Sequence, residues 1–248
     1  MATLRALFFD IDDTLYSTSQ FASLARDRAV SAMVEQGLQM PARIVRRELE
    51  EVISEFTSNY PAHFDKLLSR LPREAWARTN RALLIAAGVM AYHATKAELR
   101  PFPDVIPVLR ALSAQTDLVL GVITHGLEIK QAEKLLLLKV VPYLHPAAIF
   151  ISDQVGISKP NPKLYQRACH AFGLDPREAM YVGDNLAHDI DPTNALGMVS
   201  VLVEREGCRV RPGQTEPRYR VASLLELVPI LAKDFELAVD VRDAPATP

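Results

Sequence analysis

Asp10, Asp12 and Asp13 follow directly on the apolar run Leu7-Phe8-Phe9 and precede Thr14. Carboxylates this close repel one another, and several anionic oxygen ligands together suit a hard cation such as Mg²⁺. A carboxylate can also act as a covalent nucleophile, as in aspartyl-phosphate chemistry. The plainer reading is an acidic turn in which Asp12 or Asp13 caps a helix. Three further groups occur along the chain. Thr124-His125-Gly126 stands just before a helical pattern, where a hydroxyl and free N–H groups form an anion site, unless Thr124 is an ordinary helix cap. Lys159 lies in Ser158-Lys159-Pro160-Asn161-Pro162, whose prolines restrict the backbone, although a solvated surface lysine is the default for this residue type. Gly183-Asp184-Asn185, followed by His188 and Asp189, offers close backbone approach and another metal-capable carboxylate. A nucleophile, metal-binding carboxylates, a cation and N–H donors are together the set that phosphoryl transfer uses.

Those groups need a scaffold that gathers them. Leu7–Phe9 has the length and aromatic content of a buried strand. From Pro103 onward the pattern alternates. It predicts helices over 103–114, 128–138, 162–172 and 189–196, strands over 118–123, 148–151, 179–182 and 199–203, and a last helix over 222–233. Such alternation predicts an α/β fold, a Rossmann-like parallel sheet flanked by helices. Each of the four groups then falls at a strand's carboxyl end, where open α/β sheets bind ligands.

Residues 17–100 carry no strand signal. Apolar residues from Phe21 to Met33 recur at helical spacing and stop near Gly37, and a second helix begins at Pro41. Asn59–His63 reads as a turn, followed by a short helix through Leu67, Leu68 and Leu71 and a long helical stretch from about Glu74 to Leu99. A simple βαβ crossover takes roughly 30 residues, so this stretch is an insertion. The division expected is a core of residues 1–16 and 101–235, an all-helical cap of residues 17–100 acting as a lid, and a polar tail of residues 236–248, loosely held from Asp240 on.

Composition narrows the classes. The chain has 248 residues, 49% of them hydrophobic and 23% charged, with a formal net charge of −2, which is ordinary for a globular protein. That balance gives no general attraction to nucleic acid or to an anionic membrane. Apolar runs fall short of the roughly 20 residues of a membrane span, and no signal-peptide pattern opens the chain, so the expected location is cytoplasmic. Cys169 and Cys208 make neither a disulfide framework nor a zinc site; Cys169 is expected in the core and Cys208 in an exposed loop.

The ordered set Asp10-Ile-Asp12-Asp-Thr14-Leu, Thr124, Lys159 and Gly183-Asp184…Asp189 resembles the four motifs of the haloacid dehalogenase superfamily, in its phosphatase branch. The likeness spans about Leu4 to Val203, and the helical insertion resembles the cap found between the first two motifs. Asn59-Tyr-Pro-Ala-His-Phe-Asp and Gly88-Val-Met-Ala-Tyr-His look similar to archaeal and bacterial magnesium-dependent phosphatases of this superfamily. The resemblance implies that Asp10 attacks phosphorus and that Asp12 is the general acid and base. It also implies Mg²⁺ held by Asp10, the Asp12 backbone carbonyl and Asp184. Thr124 with the N–H groups at His125 and Gly126 would hold phosphate oxygens, Lys159 would neutralise nucleophile and phosphate, and Asn185 and Asp189 would orient the site from behind. The substrate implied is a small-molecule phosphate ester, and relatives with this cap suggest a homodimer.

Haloacid dehalogenases proper lack an acid–base aspartate two residues after the nucleophile, so Asp12 argues against dehalogenation. A phosphonatase would need a special cap lysine, and nothing around Lys66 or Lys96 looks special. His125 stands where relatives usually carry Asn or Asp, which puts the substrate preference in question, and Pro192 departs from their usual Gly-Ala with a small expected effect. Tyr16, Ser17, Phe21, Tyr60, His63, Tyr92 and His93 are candidates for substrate contact or for cap packing. The leading reading is a phosphomonoester hydrolase; a phosphomutase and a non-catalytic phosphate-binding module are the alternatives.

Overall fold

The computed structural model describes residues 3–57, 60–208 and 212–242. The chain divides into two compact units, residues 1–18 with 100–248, and residues 19–99. The first holds a sheet of six parallel strands in the order β3-β2-β1-β4-β5-β6. These are β1 (Ala6–Phe9), β2 (Val119–Thr124), β3 (Ile149–Ile151), β4 (Ala179–Gly183), β5 (Val199–Val203) and β6 (Tyr219–Val221). All four residues of β1 are apolar and buried, as a strand covered on both faces requires. Phe9 stands in register with Val122 of β2 and Val182 of β4, so β1 ends just short of its neighbours, which run on to Thr124 and Gly183. The strand order reverses direction between β1 and β4, and an open parallel sheet forms its ligand crevice at that point.

Helices α5 (Val105–Gln115), α6 (Glu128–Leu137), α7 (Ser152–Val155), α8 (Pro162–His170), α9 (Asp191–Ala195) and α10 (Leu227–Phe235) complete this unit, numbered after four in the other. Phe8, Phe150, Leu164, Tyr165, Cys169 and Tyr181 share one buried cluster. The second unit contains α1 (Thr18–Glu35) beyond its first residue, α2 (Ala42–Phe56), α3 (His63–Arg70) and α4 (Arg81–Ala94), and no strand among its described residues. Met33, Leu49, Leu67, Leu68 and Leu84 form its own core.

Several expected boundaries move. The long stretch from Glu74 to Leu99 is broken: a 3₁₀ turn at Arg73–Trp76 ends before α4, and the Asn80 side chain caps α4 by accepting from the Ala82 amide at 2.8 Å. A side chain that competes for backbone groups starts a new helix there instead of continuing the old one. Pro41 precedes α2 as its cap residue. A π-helical turn at Leu186–Ile190 comes before α9, which places Pro192 in that helix's first turn. The last helix is preceded by a 3₁₀ turn at Leu224–Glu226 and runs on to Phe235. Edge strand β6 has only three residues, too few for a pattern to show. Of the expected turn at Asn59–His63, Asn59 lies outside the described residues, as do residues 243–248 of the tail. The described tail is tied down, since Asp240 exchanges two backbone hydrogen bonds of 2.8 Å with the Gln115 side chain. Cys169 is buried; Cys208 is half-buried, with its thiol donating to Asp13 at 3.3 Å.

Candidate active site

Asp10 follows β1 immediately, and its amide donates to the Val182 carbonyl of β4, which carries the sheet register one residue further. Its carboxylate is nearly buried and accepts from Lys159 Nζ at 2.8 Å. The same ammonium donates to Asp189 Oδ1 at 2.8 Å and to the Tyr181 hydroxyl at 2.5 Å. A lysine has three N–H bonds, and all three are spent here. Tyr181 is buried in β4 and donates its own proton to the Ile123 carbonyl of β2 at 2.8 Å. Asp189 accepts on its other oxygen from the Asn185 amide at 3.1 Å. Gly183 makes that possible, because a Cβ there would lie 2.4 Å from Asp189 Oδ2.

One ammonium therefore faces several carboxylates. Burial pushes Asp10 up to about 6 even though Lys159 opposes the shift, with Asp189 and Asp12 adding repulsion. Asp184 is pushed up to about 8 by burial and then by the charges of Asp10, Asp189 and Asp13. Burial works against the Lys159 cation, but Asp10 and Asp189 outweigh it and hold the ammonium firmly charged.

Asp12 sits in different surroundings. Its Oδ1 accepts from the Tyr16 hydroxyl at 2.6 Å, the Thr18 hydroxyl at 2.9 Å and Lys134 Nζ at 2.6 Å. Its Oδ2 accepts from Lys134 Nζ at 2.8 Å and from Gln131 Nε2 at 3.2 Å. Burial opposes ionisation, but the Lys134 ammonium and the hydrogen bonds from Lys134, Tyr16 and Gln131 outweigh it and hold the carboxyl below the usual carboxylate range.

Thr124 ends β2, and its hydroxyl is buried with no hydrogen-bond partner among the described residues, a costly state that an incoming acceptor would relieve. The His125 ring is exposed and shares a 2.6 Å hydrogen bond with Ser158, while its carbonyl accepts from Gln131 Nε2 at 2.6 Å. The Gly126 amide, expected to be free for an anion, donates instead to the Ser152 hydroxyl at 3.0 Å. Gly126 has φ 142°, and a Cβ there would meet Gln131 Nε2 at 2.4 Å. Asn185 is buried, and its side chain accepts from the His188 amide at 3.1 Å. Tyr16 faces Asp12, whereas Tyr60 and His63 form a ring contact within the helical unit, as do Tyr92 and His93.

Single oxygens of Asp10, Asp184 and Asp189 lie within 4.8 Å of one another. The donor set is all carboxylate, and among the described residues no hydrogen bond or ion pair reaches the Asp184 side chain. Both Asp189 oxygens are already bonded, so Asp10 and Asp184 are the residues open to a cation. Hard oxygen ligands with surplus negative charge fit Mg²⁺. Lys134, Gln131, Tyr181 and Ser152 were not singled out in the sequence. Gln131 alone carries a signal, a polar residue one turn before Leu135 on the buried side of α6.

The haloacid dehalogenase-like hydrolase family matches residues 4–197. A glyceraldehyde 3-phosphate phosphatase of Methanopyrus kandleri is 41% identical over 93% of this chain and 100% of its own length. Another of the same name from Methanocaldococcus jannaschii is 35% identical, covering 92% of this chain and 97% of its own. A phosphatase structure from Thermococcus onnurineus shares the fold at a TM-score of 0.66 and 24% identity, over 92% of this chain and 98% of that one. With a strand-end aspartate held by a buried lysine in this frame and relatives similar end to end, the chain belongs to the haloacid dehalogenase-like hydrolases, among the phosphatases of that family.

Proposed function

We propose that this chain is a Mg²⁺-dependent phosphomonoester hydrolase working through an aspartyl-phosphate on Asp10, with glyceraldehyde 3-phosphate as the first substrate to test. The observation that carries the reading is Asp10, nearly buried at the end of β1 and held by Lys159, on the sheet edge where the Thr124 hydroxyl is left unpartnered. The substrate comes from the two archaeal relatives of that name.

Phosphate oxygens would take up the Thr124 hydroxyl and the Lys159 charge. An Asp10 oxygen attacks phosphorus, the ester P–O bond breaks, and its electron pair leaves on the alkyl oxygen, which takes a proton from Asp12. Water then attacks the same phosphorus and gives its proton to Asp12, and Asp10 departs as a free carboxylate, releasing inorganic phosphate. Bound by Asp10, Asp184 and the Asp12 carbonyl, Mg²⁺ would neutralise charge between carboxylates and phosphoryl oxygens. Asp189 and Tyr181 keep Lys159 aimed at Asp10 throughout.

The test is phosphate release from glyceraldehyde 3-phosphate with Mg²⁺, with EDTA, and by Asp10→Asn. Release should need the metal and fall on the order of 10³-fold or more in the variant. Equal release in EDTA, or an Asp10→Asn enzyme as fast as the wild type, overturns the reading.

A further inference from the structure

Gln131 and Lys134 stand three residues apart on α6, which puts them on one face of the helix. Both bring nitrogen to the Asp12 carboxylate, to which its own turn contributes the Tyr16 and Thr18 hydroxyls. Of these donors only Lys134 carries charge, and only Lys134 reaches both oxygens, at 2.6 and 2.8 Å. Its ammonium also lies 5.6 Å from the centre of the Tyr16 ring. An exposed ion pair contributes little, but here the side chains are only 23% and 30% exposed and the carboxylate is clamped by hydroxyls as well.

We propose that Lys134 is a positioning residue for acid–base work by Asp12: it fixes the carboxylate and stabilises the charge left there once the proton has gone to the leaving oxygen. The proposal rests on the reading of Asp12 as the acid–base group. In the first half-reaction the Asp12 O–H bond breaks, the proton goes to the departing alkoxide, and the electron pair stays on a carboxylate facing the Lys134 ammonium. In the second, that carboxylate takes a proton from water and is ready for the next turnover. Gln131 serves the same end, since its amide bridges the His125 carbonyl and Asp12 and keeps the Lys134 face of α6 turned to the site.

The consequence concerns the leaving group. An alkyl oxygen departs poorly without a proton, whereas p-nitrophenolate leaves without one. Lys134→Met and Lys134→Arg are therefore compared with wild type and Asp12→Asn on glyceraldehyde 3-phosphate and p-nitrophenyl phosphate by kcat/KM, which reports the steps up to departure of the alcohol and leaves out the water attack that both esters share. Lys134→Met should lose about tenfold or more in kcat/KM on the alkyl ester and at most about threefold on the aryl ester. Lys134→Arg should recover much of the alkyl activity, and aryl turnover in each variant reports that it is folded. Equal losses on both esters, as a purely structural role would give, overturn the proposal; so does no loss on either. If Asp12→Asn itself lowers kcat/KM for both esters alike, Asp12 is not the acid and the underlying reading is what fails.

Discussion

Asp10 and Asp12 are separated only by Ile11, yet the floor of the site around one and the rim around the other are built on opposite electrostatic terms. On the floor, Lys159 is shared between Asp10 and Asp189 while no hydrogen bond or ion pair from the described residues reaches the Asp184 side chain, so negative charge is in excess. On the rim, Asp12 alone collects donors from Tyr16, Thr18, Gln131 and Lys134. Burial acts against the charged form at both places, and the balance of partners decides the sign: Asp10 is raised and Asp12 lowered. The lesson is that an electrostatically incomplete floor suits a site whose missing charge arrives with metal and phosphate. A completed rim suits a group that must keep one position through two proton transfers.

The largest effect expected is from Lys159→Met, which removes the ammonium held by Asp10 and Asp189. Breaking a buried pair by deleting one partner typically costs about 3–5 kcal/mol, so chemical denaturation at pH 7 should show a loss of that order together with near-abolished activity. An unchanged midpoint would mean that the floor does not depend on this cation.

Next comes pH, where the two regions should respond with opposite sign. Asp184 and Asp10 bind protons more tightly folded than unfolded, at about 8 and about 6 against 3.8. Stability of the metal-free protein should therefore fall as pH rises from about 4 to 8, with the stretch from 6 to 8 belonging to Asp184. Asp12 is lowered, so its contribution is present above 3.8 and is lost as pH falls through its folded value. Thermal melts in EDTA across this range should decline toward pH 8 in wild type and flatten in Asp184→Asn, and Mg²⁺ should raise the wild-type melting temperature more at pH 8 than at pH 5. A wild-type curve that rises from pH 6 to 8 in EDTA contradicts the assignment.

The smallest effect expected is from His125→Asn. The ring is exposed and bonded to Ser158, while the carbonyl that Gln131 uses belongs to the backbone and survives the change. Stability should stay within about 0.5 kcal/mol, and kcat/KM on p-nitrophenyl phosphate within about twofold. A large rise in KM would show that the imidazole meets the substrate and extends the rim.

Much of the fold was legible because buried parallel strands are continuous apolar runs. Ala6–Phe9, Ala179–Gly183 and Val199–Val203 stand out between polar segments, and each marks its own end with a change to Asp10, Asp184 or a loop. The three-residue β6, the π-helical turn before α9 and the break that Asn80 makes ahead of α4 were not legible, because they are shorter than a period or depend on one capping side chain. Within the site, the strand-end residues could be named in advance. The use of the Gly126 amide by Ser152 could not, because the two lie on different strand–helix connections.

Order along the chain determined by itself that a parallel α/β sheet would form and that Asp10, Thr124 and Asp184 would stand at its strand ends, since strand pattern and chain direction are local properties; Lys159, expected at the end of β3, lies instead beyond α7, because that short helix follows the strand. Tertiary structure alone decided that Lys159 spans Asp10, Asp189 and Tyr181, and that α6 turns Gln131 and Lys134 toward Asp12. Those contacts join residues 22 to 149 positions apart, and which face of a helix meets which loop follows from packing that no local pattern records.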